Sequence, residues 1–267
     1  MTGELKIVRD GTFTLDPGAA FGITPREVWS RSFTENSRGR VSLTCNTLLI
    51  QEDNETWLVD AGLSERYEGN MKNFFEIRPS ENFWKEIDEA APEGIDHFLI
   101  SHLHFDHIGR AIDYRYREKG RGRGDIICQA REVSEMRRPG PLSVNSYPTP
   151  LLRNVRIRRI SGSWRIKSYL YAVLTGGHTS GHQAVIYRGR REIIYFGDLV
   201  PTTFYARLTH ITAIDSYPMD TIRMKRRLIM KAIRERAVCV FNHDSETPCA
   251  LLSGNPEKPS IEPVSLD

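Results

Sequence analysis

Residues 101–107 read Ser-His-Leu-His-Phe-Asp-His, directly after the apolar run Ile-Asp-His-Phe-Leu-Ile at 95–100. This stretch constrains the fold more than any other, because it puts four potential metal ligands at the mouth of a strand. In extended chain, residues two apart point the same way, so His102 and His104 can converge on one cation. Asp106 and His107 come a turn later and can reach a second cation close by. Imidazole and carboxylate donors suit zinc, iron, manganese or cobalt.

The rest of the chain supplies short β-branched segments and a few amphipathic ones. Strands are expected at 41–50, 56–60, 95–101, 125–129, 183–187, 192–196 and 237–242, with an edge strand at 4–14. Helices are expected at 81–91, 130–138 and 219–236. The last has Ile222, Ile229 and Ile233 on one face, Met224, Leu228 and Ala232 extending it, and Asp220 as its N-terminal cap. Strands alternating with helices in 267 residues read as one α/β domain, 1–267, with an ill-ordered Pro- and Ser-rich tail at 253–267. The basic, glycine-rich segment 114–124 and the proline-rich segment 137–150 read as surface loops that could rim a site.

A two-metal centre needs more than four protein groups. Three further candidates each follow a strand-like segment: His178 in TGGHTSGH, Asp198 after EIIYF, and His243 after AVCVF. Polar groups just past apolar strands are the usual placement for a site at a sheet edge.

His102-x-His104-x-Asp106-His107, followed by His178, Asp198 and His243, resembles the signature of the metallo-β-lactamase superfamily, and TWLVDAG at 56–62 matches a motif upstream of it. The resemblance covers about residues 40–245. It implies a four-layer αββα sandwich with the site on one rim. It also implies that His102, His104 and His178 hold a first metal, that Asp106, His107 and His243 hold a second, and that Asp198 bridges both. Asp60 would then accept a hydrogen bond from a ligand histidine and fix its tautomer; a turn cap is its competing role. The Asp-His second site argues against true zinc β-lactamases, whose second site commonly uses a cysteine.

Two adjacent divalent ions, zinc in the first instance, can activate a shared hydroxide at neutral pH, with Asp106 passing a proton to the leaving group. The leading expectation is a hydrolase of small esters or lactones, of the acyl-homoserine lactonase type, with Asp106 and Asp198 as its catalytic carboxylates. FGDLVPTTFY at 196–205 resembles small-molecule hydrolases of the superfamily. A well-known lactonase branch has tyrosine three positions after the bridging aspartate, where this chain has Pro201. Tyr205 could take over that hydrogen bond or serve as packing. A phosphotriester hydrolase is the close rival, followed by a nuclease or phosphodiesterase and then an iron dioxygenase.

His182 is expected to support its loop, His97 to pack within a strand, and His210 to lie at the pocket or on the surface. Trp29, Phe74, Phe75, Trp84, Phe204 and Tyr205 are candidate rim aromatics that could equally be core or a dimer contact. The basic run 153–159 alternates Val155 and Ile157 with Arg156 and Arg158, as a half-exposed strand does, so a nucleic-acid partner is not expected. Cys45, Cys128 and Cys239 lie in apolar runs and read as buried thiols. No segment approaches the ~18 consecutive apolar residues of a membrane span, and no signal peptide is apparent, so a cytoplasmic protein is the default.

Overall fold

The computed structural model describes residues 3–117, 124–153 and 155–266. Two sheets stack face to face. The first has six strands in sequence order: β1 (Glu4–Leu15), β2 (Val41–Glu52), β3 (Glu55–Val59), β4 (His97–Leu99), β5 (Asp125–Gln129) and β6 (Ile157–Ile160). The second runs β13 (Ser260–Pro263), β12 (Cys249–Ser253), β11 (Val238–Val240), β10 (Glu192–Tyr195), β9 (Gln183–Arg188), β8 (Leu170–Leu174) and β7 (Trp164–Arg165).

The layering follows from strands that are apolar on both faces. Trp57 and Val59 of β3 point between the sheets and pack with Val185, Ile193 and Val240 of the second sheet. Leu58, between them, points outward and packs against Phe83, Ile87, Ile108 and Ile112 from the helices Phe83–Ala90 and Phe105–Tyr114. On the far side, Ile194, Cys239 and Ala250 meet Leu228, Ile229 and Ala232 of the helix Pro218–Glu235. The result is helix, sheet, sheet, helix, the expected αββα sandwich. Each inner strand is covered on both faces, as a parallel segment requires.

The expected strands appear, and β1 is an edge strand. All four cysteines are buried, and His97 is buried against Trp57 with ring centroids 4.1 Å apart. Three expectations are corrected. The tail expected to be ill-ordered carries β13, which extends the second sheet along β12. Asp220 does not cap the last helix: that helix starts at Pro218, whose missing N–H suits a first turn, and Asp220 lies inside it, paired with Arg223 at 2.9 Å. Its buried stripe is centred on Thr221, Met224, Lys225, Leu228, Ile229 and Ala232, leaving Ile222 and Ile233 only half-buried.

Lys225 is in that stripe because its Nζ donates to the carbonyls of Arg207 (3.0 Å) and His210 (2.6 Å). The helix Phe105–Tyr114 was not anticipated; it is buried along its whole length, and its polar members obscure the helical period. Residues 118–123 of the basic, glycine-rich segment 114–124, and Asn154, lie outside the described residues.

Candidate metal centre and its cavity

Every candidate ligand sits past the carboxyl end of a strand on one rim. His102 and His104 follow β4, and Asp106 and His107 form the first turn of the helix that begins there. His178 lies between β8 and β9, Asp198 follows β10 and His243 follows β11. The rim is one place because β10 pairs in parallel with β11, and β3 with β4. The turn at Asp198 needs Gly197: its φ is +55°, and a Cβ there would stand 2.7 Å from His182 Nε2 and 3.0 Å from Ser101 Cβ.

The seven side chains fall into two groups, His102/His104/His178 and Asp106/His107/Asp198/His243, each with ligand atoms within 4.8 Å of one another. Asp198 faces both. Its Oδ2 is 3.3 Å from His178 Nε2 and 3.9 Å from His102 Nε2, and its Oδ1 is 3.2 Å from His107 Nε2 and 3.1 Å from His243 Nε2. Asp106 Oδ2 lies 3.3 Å from His243 Nε2. Ligands about 2.0–2.1 Å from a tetrahedral metal stand roughly 3.4 Å apart, so these spacings fit divalent ions.

Hydrogen bonds on the opposite ring nitrogens set the tautomers. His107 Nδ1 donates to Asp60 Oδ2 (2.7 Å), His178 Nδ1 to Asp215 Oδ1 (2.9 Å) and His243 Nδ1 to the Thr44 carbonyl (2.7 Å). His102 Nδ1 lies 3.0 Å from Ser101 Oγ, whose own proton goes to Asp60 Oδ2 (2.8 Å). Each arrangement leaves an Nε2 lone pair facing its group. The Nε2 atoms of His102, His107 and His243 are buried and have no hydrogen-bond partner among the described residues. His104 Nδ1 stands 3.1 Å from His178 Nε2, two nitrogens that a shared cation would reconcile. A buried set of this kind would be costly with nothing at its centre, and it fits a metal.

The imidazoles divide by the carboxylates near them rather than by group: against the lowering effect of burial, Asp198 and Asp215 raise His178. Burial and neighbouring imidazoles push His102 and His104 well below the ordinary histidine range. Burial would also lower His107, but Asp198, Asp106 and Asp60 outweigh it and raise the group to about 10. Burial opposes ionisation of Asp198, yet His107, His243 and His178 hold its carboxyl well below the usual range.

Asp60 accepts from His107 Nδ1. Its φ is +57°, and its carboxylate also accepts from Ser101 N (2.6 Å) and Tyr195 Oη (3.0 Å). His182 is buried outside both groups, with Nδ1 2.5 Å from Thr175 Oγ1, and it supports the loop. His210 stacks on Phe204 and makes an Nδ1 contact with the Phe204 carbonyl (2.9 Å), away from the cavity lining. Asp215, Asn242, Ser101 and Thr44 are the functional positions the sequence reading missed. Asn242 Nδ2 donates to Asp198 Oδ1 at 2.7 Å. Adjacency to a candidate ligand, Asn242 to His243 and Ser101 to His102, is the signal that could have found two of them.

A cavity of about 170 Å³ opens onto His104, Asp106, Asp198 and His243. Its walls are largely apolar, including Phe13, Leu43, Phe75, Phe105, Pro201 and Tyr205. Of the candidate aromatics, Phe74, Phe75 and Tyr205 line this cavity. Trp29 and Phe204 pack into the core beside the last helix, and Trp84 packs over Tyr114 and Arg117. Tyr205 contributes its ring alone, because its hydroxyl donates to the Ala20 carbonyl at 2.6 Å. The proline-rich loop reaches the cavity through Leu142, Asn145 and Ser146.

The family model described as Metallo-beta-lactamase superfamily matches residues 41–121, the span that contains His102 to His107. Among solved structures, the chain is similar to a probable metal-dependent hydrolase from Staphylococcus aureus, at 22% identity and a TM-score of 0.85, covering 99% of this chain and 98% of that one. It is also similar to an N-acyl homoserine lactone hydrolase with the product N-hexanoyl-L-homoserine bound at its catalytic metal centre (19% identity, TM-score 0.70, 92% and 95% covered). A third is the hydrolase AbOPH of the beta lactamase superfamily (15% identity, TM-score 0.77, 100% and 96% covered). At these identities the likenesses show the fold. No curated protein matches the chain by sequence. No helix among the described residues is long and apolar enough to cross a membrane.

Proposed function

We propose that this chain is a dinuclear metal-dependent hydrolase of small, largely apolar esters or lactones. The observation that carries the reading is Asp198, which presents one carboxylate oxygen to each ligand group on the floor of an apolar cavity. His102, His104 and His178 would hold one ion, Asp106, His107 and His243 the other, with Asp198 shared. Bound there, the ions would supply an activated water and Lewis-acid polarisation of the carbonyl.

The chain's own residues do the rest. Asp60, Asp215 and the Thr44 carbonyl keep the imidazoles in the ligating tautomer. Phe13, Leu43, Phe75 and Phe105 exclude bulk water and orient an apolar acyl group. Asp106, on the cavity wall, is placed to pass a proton to the leaving oxygen. The cavity is small beside the ~300–1,000 Å³ typical of ligand pockets, which favours short substrates. The product-bound lactone hydrolase among the similar structures makes lactones the first substrates to try.

The test is metal content by plasma mass spectrometry together with a panel of lactones, carboxyl esters, thioesters and phosphotriesters. The reading expects about two ions per chain and turnover of lactones or esters. A fully loaded protein that turns over phosphotriesters but no carboxyl ester would reassign the substrate, and one that hydrolyses nothing would end the proposal.

A further inference from the structure

The cavity holds one cation that the chemistry at its floor does not use. Arg40 lines it together with Phe74, which is 58% exposed and so marks the mouth, whereas His104 and His243 at the floor are each 3% exposed. The neighbouring arginines are neutralised: Arg38 pairs with Glu76 at 2.6 Å, and Arg26 pairs with Glu35. Arg40 makes no ion pair with a carboxylate among the described residues. It is nevertheless held. Its Nε donates to Thr14 Oγ1 (2.9 Å), its Nη2 donates to the Thr14 carbonyl (3.1 Å), and its guanidinium lies over the Phe74 ring at 4.9 Å.

Thr14 is itself fixed, buried on β1 and donating to Glu76 Oε2 at 3.1 Å. Glu76 is committed to Arg38, Asn36 and Thr14. Nη1 of Arg40 has no partner among the described residues. Asp16, the other charged residue at the mouth, caps the turn Pro17–Phe21 through Gly18 N at 2.8 Å and does not pair with Arg40.

A guanidinium anchored on two sides, with a free edge over an apolar cavity, is preorganised for an anion. Resting on the hydrolase reading above, we infer that Arg40 selects substrates carrying an anionic group, a carboxylate in the simplest case, at the end remote from the bond that is cut. The apolar body of such a substrate would lie along Phe75 and Leu43, its scissile carbonyl at the floor and its charge at Arg40.

The test uses metal-loaded protein and a matched pair of substrates: the 4-nitrophenyl hemiester of glutaric acid, and the same ester with its free carboxyl methylated. Wild type should favour the anionic ester about tenfold or more in kcat/KM, the size of one charge-assisted hydrogen bond. Arg40→Gln should erase that ratio through the KM of the anionic ester, and Arg40→Lys should restore part of it, since an ammonium cannot span both Thr14 acceptors. Binding of glutaric monoanilide and of its methyl ester, which do not depend on turnover, is measured alongside by calorimetry.

If neither these esters nor any member of the lactone and ester panel is hydrolysed but the anilide carboxylate binds wild type at least tenfold tighter than Arg40→Gln, the hydrolase reading fails and the anion site stands. If both proteins turn over the charged and neutral esters in the same ratio, the inference is wrong while the hydrolase reading survives; an equal binding ratio for the two anilides likewise overturns the inference. A merely structural role would lower both substrates together and leave the ratio unmoved, which would also overturn it.

Discussion

The two ligand groups differ in what holds them. His107 leans on Asp60 at the end of β3, His243 on the Thr44 carbonyl within β2, and Asp198 on Asn242 at the end of β11. Those anchors belong to the sandwich itself. On the other side, His178 leans on Asp215, whose own support is Thr212 Oγ1 at 2.8 Å in the connection before the last helix, and His102 has only the Ser101 hydroxyl. One half of the centre is thus fixed by strand ends and rich in carboxylate, and the other is imidazole-only and fixed by a loop. The first should keep its geometry whatever the loops do, and the second should be the more forgiving.

Asp198 lies across that divide, so its loss should have the largest effect. Asp198→Ala removes an oxygen from each group and is expected to unseat both ions and cut turnover by more than the ~10–100-fold typical of outer hydrogen-bonding partners. Metal content and kcat/KM measured together check this. Unaltered metal content would show that the two halves do not share a ligand.

Asp60→Asn should weaken the strand-anchored half most, because Asp60 meets His107 directly and reaches His102 only through Ser101. Asparagine tolerates the positive φ at this position, so the backbone need not move. The amide cannot accept from Ser101 N, Ser101 Oγ, Tyr195 and His107 as the carboxylate does. The expected result is a ~10–100-fold loss of affinity for the ion at His107, with a smaller loss at the other ion relayed through Ser101 to His102. Asp215→Asn should act on the other ion and by less, near the lower end of that range, because its loop can adjust. Competitive chelator titrations resolve the two affinities, and equal losses in both variants would erase the asymmetry.

The same contrast explains what could be read from sequence. His102, His104, Asp106 and His107 are legible because one strand–helix junction carries all four, and spacing alone states their convergence. His178, Asp198 and His243 are legible as polar residues past apolar runs. Asp215 is not: it meets His178 across 37 residues, and nothing in local pattern marks it. Lys225 is invisible for a similar reason, since a lysine on a helix reads as solvated until three carbonyls from residues 207–210 are brought over it. Hydrophobicity identified Trp29, Trp84 and Phe204 as aromatics worth burying, but it could not say that they belong to the layers between helix and sheet rather than to the cavity. β13 escaped notice because all four of its residues are exposed, so it lacks the alternation that announces a strand.

His182 sharpens the comparison from outside both groups and should have the smallest effect on turnover. Burial, reinforced by the charge of His178, pushes it down to about 3, and a bound cation nearby would act in the same direction. Between that value and the ordinary 6.5, the unfolded chain binds a proton that the folded chain refuses. The stability it contributes is therefore complete above pH 6.5 and is lost as pH falls towards 3, at roughly 1.4 kcal/mol per pH unit. In His182→Gln that slope is absent. The variant should be less stable than wild type at pH 7.5 through the weakened contact with Thr175, and the gap should narrow steadily as the medium is acidified to pH 4. Metal release in acid affects both proteins, so the readout is the difference between their urea denaturation midpoints at each pH. Parallel curves would mean that His182 takes up its proton at the same pH in the folded as in the unfolded chain, and that the loop beside the imidazole half of the centre is less closed to solvent than its burial indicates.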